Sequence, residues 1–278
     1  MVSFLESLLR LTRFGNLLII GLAQYFTAYF LADAHVLSDL RLLLLTTSTV
    51  FIAAGGYIIN DYYDIKIDYI NKPDRVVIGK AIPRRFAILF HTVLSLSGTA
   101  IGFYLGWRIG VINFLSAFLL WWYSNNLKRL PFVGNFSIGF LTSLSIFIVA
   151  LLYSSDASLI IVYSLFAFFM TLVREVIKDM EDLKGDITFG CKTLPIIWGF
   201  RKTKQFLYVI ILLFAGTVIL ADLIYKVLPG VYLSIFLFAP LLWLVVRLYS
   251  ADTVKDFNRL SSFCKVIMLL GILSMALL

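Results

Sequence analysis

The chain has 278 residues, 61% of them hydrophobic and only 14% charged, with a formal net charge of +8. A soluble domain of this length cannot bury so much apolar surface, so most of the chain faces lipid. The basic residues sit between apolar runs, which argues against nucleic acid as the partner and for an orientation signal plus an anionic substrate. Cys191 and Cys264 supply neither a disulfide framework nor a metal-ligand spacing.

Apolar runs fall at residues 14–32, 42–59, 86–105, 109–123, 136–153, 157–173, 206–225, 231–248 and 261–278, each near the ~20 residues that cross a bilayer core. The expected fold is all-α and polytopic: nine transmembrane helices in one bundle, a single membrane-embedded domain over 1–278. No cleavable signal peptide is expected, because the first run is long enough to span. Only Gly106-Trp107-Arg108 separates the third run from the fourth, which predicts a tight helical hairpin. With the N-terminus inside, the inner segments collect all 24 Lys and Arg residues except Arg41, Arg108 and Lys226. That bias predicts a cytoplasmic N-terminus in the cell membrane. The two longest connections, 60–85 and 174–205, are then cytoplasmic and carry charges of both signs, as functional loops do.

The second run leads into Asn60-Asp61-Tyr62-Tyr63-Asp64-Ile65-Lys66-Ile67-Asp68, and the sixth into a segment from Glu175 to Asp186. Asp61, Asp64 and Asp68 stand at i, i+3 and i+7; so do Asp179, Asp182 and Asp186. On a helix such positions fall within about 60° of arc, so each trio lies on one face. Glu175, one turn earlier, joins the second stripe. Three like charges on one face repel, and a hard cation is the natural offset. Ca²⁺ favours a cage of six to eight oxygens, whereas Mg²⁺ accepts one or two carboxylates, keeps waters and completes its shell with substrate phosphate oxygens. Two facing stripes therefore suit two Mg²⁺ ions on one diphosphate, with the six aspartates as metal-binding, catalytic residues at the cytoplasmic side.

Basic residues surround the stripes: Lys72, Arg75 and Lys80 after the first, Arg174, Lys178 and Lys192 around the second. As a set they suit a departing diphosphate. The loop from Tyr123 to Pro131 opens on the same side and brings Lys128 as another phosphate contact. Lys128 and Lys192 are also the places expected to hold a second anionic group. Tyr57, Tyr62 and Tyr123 lie near the motifs, where ring faces can stabilise an allylic cation. A cation carrier or channel is the competing class, but transport acids sit near the bilayer midplane on broken helices and these sit at one end. A lipid phosphatase would want a nucleophilic His or Ser constellation that the chain lacks.

At these residues the sequence resembles the UbiA superfamily of intramembrane prenyltransferases. The resemblance covers essentially the whole chain and rests on the run 60–68, Asn71-Lys72-Pro73-Asp74-Arg75, the Tyr-Ser…Leu-Lys…Gly-Asn loop at 123–135 and the second Asp motif. It adds Asn60 to the metal-binding set. Arg174-Glu175-x-x-Lys178-Asp179-x-x-Asp182-x-x-Gly185-Asp186, followed by Gly190-x-x-Thr193-Leu194-Pro195, looks most like the digeranylgeranylglyceryl phosphate synthase branch. That implies transfer of a geranylgeranyl group from its diphosphate to geranylgeranylglyceryl phosphate, forming an ether lipid. Chlorophyll- and tocopherol-pathway members share much of the pattern, so an aromatic acceptor is the alternative. The residues do not specify an oligomeric state.

Overall fold

The structure, a computed structural model, describes residues 4–32, 38–153, 157–225 and 232–277. Lys226, the first residue of the run 231–248 and the last of the run 261–278 lie outside the described residues. The chain forms helices α1 (Phe4–Leu11), α2 (Phe14–Phe26, continued by a wider helical stretch Thr27–Ala32), α3 (Leu40–Asn71), α4 (Arg84–Leu105) and α5 (Trp107–Asn125). There follow α6 (Val133–Tyr153), α7 (Ser158–Glu181), α8 (Leu183–Thr188), α9 (Leu194–Tyr225), α10 (Ala239–Ser250, entered through Leu233–Phe238) and α11 (Val254–Ser274). Among the described residues there is no strand.

Each of the nine apolar runs falls on helix, and seven of the helices are long and apolar enough to cross a membrane. Of the other two runs, α5 is diluted by Arg108, Asn113 and its polar end, and the helical stretch Ile235–Ser250 is shorter. Leu212 is 73% and Leu223 68% exposed, a surface that lipid covers and water does not.

The expected hairpin is present. Gly102 packs so closely that a Cβ there would lie 2.5 Å from Asn113 Nδ2, and one on Gly110 would lie 2.3 Å from the Phe103 ring. Small residues at such crossings let membrane helices touch backbone to backbone.

The expectation of long charged loops at 60–85 and 174–205 needs correcting. Most of both segments is helical. Asp39 caps the start of α3, accepting from Arg41 N–H at 2.8 Å, and the helix then runs for 32 residues. At 1.5 Å per residue this is about 48 Å, against a hydrocarbon core of about 30 Å, so the last turns overhang. The true connection, 72–83, is short and tucked in: Ile78 and Ile82 are buried against Leu11, Ile58 and Ile65. In the second segment, α7 continues to Glu181 and α8 takes over at Leu183. Val173, Val176, Ile177 and Met180 bury one face of α7 against α9, α10 and α11. The period of 3.6 turns Glu175, Asp179 and Asp182 the other way, toward α3. Gly199 breaks α9 near its start, in the left-handed region at φ 71° that favours glycine.

Candidate active site

The overhanging end of α3 and the α7–α8 junction meet, and the contact is specific. Asn71 Nδ2 donates to the Asp182 carbonyl at 2.9 Å, and Gly185 N–H donates to Asn71 Oδ1 at 2.8 Å. One amide thus adds a second donor to the Asp182 carbonyl, which also accepts from Asp186 N–H at 3.2 Å, and satisfies an N–H in the first turn of α8 that its helix leaves orphaned. Gly185 has to be glycine for this approach, since a Cβ would stand 2.5 Å from Asn71 Nδ2. Next to it, Lys72 Nζ lies 2.7 and 3.0 Å from the two Asp182 carboxylate oxygens and 3.1 Å from Glu181 Oε1. Burial opposes the Lys72 charge, but Asp182 and Glu181 outweigh it and hold its pKa above the usual range. Glu181 is anchored in turn by Asn258 at 2.8 Å and Ser261 at 3.2 Å, both from α11.

The six aspartates are all half-buried, whereas Lys66 and Lys184 on the opposite faces are exposed. Four aspartates have a donor from elsewhere in the bundle. Arg13, between α1 and α2, reaches Asp61 at 2.7 Å, and Lys128 reaches Asp64 at 2.5 Å. Asn135 of α6 donates to Asp179 at 2.9 Å, and Lys72 holds Asp182. Asp68 lies within electrostatic reach of Asp64, Asp61 and Asp182. Burial first, then Asp182 and Asp64, push Asp186 up to about 7. The two predicted stripes therefore lie within electrostatic reach of each other, and three paired cations, Arg13, Lys72 and Lys128, against six aspartates leave an excess of negative charge.

No three of the described carboxylates converge as a preformed metal cage. Mg²⁺ does not ask for one, because waters and phosphate oxygens complete its octahedron. Two observations fit such an ion: burial together with the charges of Asp182 and Asp64, which lift Asp186, and the buried Asn60 Oδ1, which has no hydrogen-bond partner among the described residues. A hard cation would relieve both.

Beside the cluster a cavity of about 240 Å³ runs into the bundle. Arg13, Asn16, Tyr57, Asn60, Tyr123, Arg174, Glu175, Lys178 and Lys265 line its polar part, and side chains such as Ile148, Phe166, Ala23 and Met275 its apolar part. Tyr57 and Tyr123 thus stand where the sequence suggested. Tyr62 does not line the cavity: half-buried, it packs against the apolar cluster that holds Leu11, Ile58, Ile65, Ile78, Ile82 and Ala87. Lys192 is exposed; its backbone N–H bonds the Arg129 carbonyl at 2.8 Å, docking its loop on the one that carries Lys128. The Arg75 side chain lies outside the described set. Lys80 instead bonds the Pro73 carbonyl at 2.9 Å.

Sequence reasoning missed Asn71, Asn135, Arg13, Asn16 and Lys265 as site residues. A signal existed for Asn16 and Asn135: a polar side chain near the end of an otherwise apolar helix, where the positive-inside rule explains a charge, as at Arg13 and Lys265, but not an asparagine.

Residues 21–270 match the UbiA prenyltransferase family. The chain belongs to that family. It is a prenyltransferase and an integral membrane protein. Digeranylgeranylglyceryl phosphate synthase of Saccharolobus solfataricus is 33% identical over 276 residues, covering 98% of this chain and 96% of the relative. The synthase of the same name from Methanosphaera stadtmanae is 35% identical over 241 residues, 84% of this chain and 87% of the relative. Among solved structures, one from work on digeranylgeranylglyceryl phosphate synthase in membranes superposes with a TM-score of 0.75 at 24% identity, covering 98% of this chain and 97% of that one. A UbiA homolog from Archaeoglobus fulgidus bound to DMAPP and Mg²⁺ gives 0.73 at 16% identity, covering 98% and 100%. These two likenesses concern the fold.

Proposed function

We propose that the protein transfers a geranylgeranyl group from its diphosphate to the free hydroxyl of geranylgeranylglyceryl phosphate, in a Mg²⁺-dependent reaction at the cytoplasmic face of the cell membrane. The observation that carries this reading is the junction of the acidic cluster with a cavity that turns apolar inward, which matches a charged head and a prenyl tail. The names of the relatives support the acceptor. The whole chain acts as one unit with nine spans and its N-terminus inside, as the distribution of Lys and Arg supports.

Asp61, Asp64, Asp68, Asp179, Asp182 and Asp186, with Asn60, are the residues that would hold the metal, as two ions on one diphosphate. When bound, Mg²⁺ neutralises the diphosphate and stabilises it as a leaving group. The protein does the rest. Lys72 and Lys128 are suited to hold phosphate oxygens once Asp182, Glu181 and Asp64 have another partner, and the sequence motif adds Arg75 to that role. The allylic C1–O bond breaks with its electron pair leaving on the diphosphate. Tyr57 and Tyr123 present ring faces to the positive carbon, in a cavity whose walls exclude water. The acceptor oxygen then attacks C1 and its proton passes to the released diphosphate, forming the ether.

The test is incubation of purified protein with Mg²⁺, geranylgeranyl diphosphate and a panel of acceptors, with products identified by mass. An ether of glyceryl phosphate is expected. Ready prenylation of an aromatic acid, with glyceryl phosphates ignored, would refute the acceptor assignment.

A further inference from the structure

The polar part of the cavity holds a cluster of cations, of which only Arg13 pairs with one of the six aspartates. Arg13, Arg174, Lys178 and Lys265 all line it, and Glu175 is the one carboxylate that does. Arg174 and Lys178 both pair with Glu175, the latter at 3.3 Å, and Arg13 pairs with Asp61. Lys265, from α11, reaches only a neutral oxygen, Asn16 Oδ1, at 3.1 Å. It lies within electrostatic reach of three cations, Arg174, Lys178 and Arg13, and of one carboxylate, Glu175. The Arg174 Nε–H is buried and has no acceptor. Four cations against two carboxylates leave an excess of about two positive charges in a partly dry pocket, which demands an anion.

None of the six aspartates lines this cavity; of the cations that pair with them, Lys72 and Lys128 belong to the acidic side alone, and Arg13, through Asp61, is shared. Along α7, Arg174 stands five residues before Asp179, about 7.5 Å along the axis. The cluster thus borders the diphosphate site and is joined to it through Arg13 and Asn60. Its charge matches a phosphate monoester, which carries about −1.5 to −2; an aromatic carboxylate would supply only −1.

We infer that Arg174, Lys178 and Lys265, with Arg13 at the rim, form the seat for the phosphate of the glyceryl phosphate acceptor. Lys265 is the residue that makes it a second anion site. In a glyceryl phosphate the nucleophilic hydroxyl is only a few bonds from phosphorus. Anchoring the phosphate here therefore presents that hydroxyl to the carbon released next to the aspartates. Lys128 and Lys192, the sequence-based choices for this role, serve worse: one is bound to Asp64 and the other is exposed.

This inference rests on the proposed acceptor class, and its test separates the two. The variants are Lys265→Met, Arg174→Gln and the charge-preserving Lys265→Arg. Steady-state kinetics in Mg²⁺ should show the acceptor KM raised about ten- to a hundredfold in the first two, as expected for a lost charge-assisted phosphate contact. The donor KM should stay within about twofold, and Lys265→Arg should recover most of the loss. Binding is read separately in excess chelator, by thermal shift with an alkyl glyceryl phosphate, the matching alkyl glycerol and inorganic phosphate. Wild type should be stabilised by the phosphate ester and not by the alcohol, and Lys265→Met by neither. Stabilisation by inorganic phosphate alone would mean a free-phosphate site and overturn the lipid assignment. A donor KM that rises with the acceptor KM, or equal stabilisation of wild type and Lys265→Met, would also overturn the inference while leaving the proposed reaction standing. A wild type that prenylates no glyceryl phosphate would remove both.

Discussion

Replacing Gly185 with alanine tests whether the α3–α8 clamp aligns the two aspartate trios. The new Cβ would stand 2.5 Å from Asn71 Nδ2 and 2.7 Å from its Oδ1, so the Asn71 amide must swing away and both of its hydrogen bonds, at 2.9 and 2.8 Å, are lost. At a net 0.5–1.5 kcal/mol each, that is about 1–3 kcal/mol. Alanine returns up to about 1 kcal/mol through its better helix propensity, so the thermal midpoint should fall only slightly. Turnover should suffer far more, because a misplacement of about 1 Å in reacting groups costs about a hundredfold. We expect kcat down roughly a hundredfold in Gly185→Ala at saturating Mg²⁺. Asn71→Ala should show a similar loss. The double variant should be no worse than Asn71→Ala alone, since the clash disappears with the amide; such non-additivity marks partners in one contact. Independent, multiplying losses, or a Gly185→Ala enzyme with full activity, would refute the clamp.

Three further outcomes follow from the site. Chelation should abolish turnover, with Mg²⁺ restoring it and Ca²⁺ failing to; full activity in excess chelator would end the two-metal reading. Burial, Asp182 and Asp64 push Asp186 up to about 7, so protons compete with the metal there and Mg²⁺ affinity should fall as pH drops through 7. The sign reverses without metal: a raised folded-state pKa adds stability that is complete below the unfolded value of about 4 and is lost as pH rises through 7. The thermal midpoint in chelator should therefore rise between pH 8 and 5.5, and a flat profile in both measurements would contradict the assignment. Cysteines placed at positions 70 and 188, in a background lacking Cys191 and Cys264, should be labelled from the cytoplasm and one at 107 only from outside. Labelling of 70 and 107 from the same side would refute the topology.

The helices and the two aspartate faces were legible in the sequence because both signals are periodic and local. Apolar runs of membrane length leave few alternatives, and i, i+3, i+7 spacing fixes a face without any tertiary knowledge. The segments 60–71 and 174–181 were misread as loop for a physical reason. Charge marks where a chain leaves lipid, but it does not end a helix, and α3 simply continues into water. The pairings were not legible, because each joins distant positions: Arg13 to Asp61, Asn135 to Asp179, Lys265 to Asn16. Tyr62 shows the same limit from the other side, since its neighbours on α3 line the cavity while its own side chain packs against the apolar cluster around Ile58 and Ile78.

The overhang of α3 explains why the chemistry sits at one end of the bundle. A prenyl diphosphate has a tail that belongs in hydrocarbon and a head that holds several charges, so the carbon that reacts is at the boundary between them. Carboxylates at the bilayer centre would be expensive and cut off from metal ions in water. Carboxylates on a loop in water would be poorly aligned and would leave an allylic cation open to hydrolysis. A rigid helix about 48 Å long crosses a core of about 30 Å and still offers several turns beyond it. Asp61, Asp64 and Asp68 occupy those turns on the face toward α7, while the same helix lines the tail cavity at Ile52, Gly56 and Tyr57 a few turns earlier. Tail depth and head position are therefore set by one element. Stretching or shortening α3 between residues 57 and 61 would move the aspartates by about 1.5 Å and rotate them by about 100° per residue. That breaks the facing of the two trios before it changes the fit of the tail.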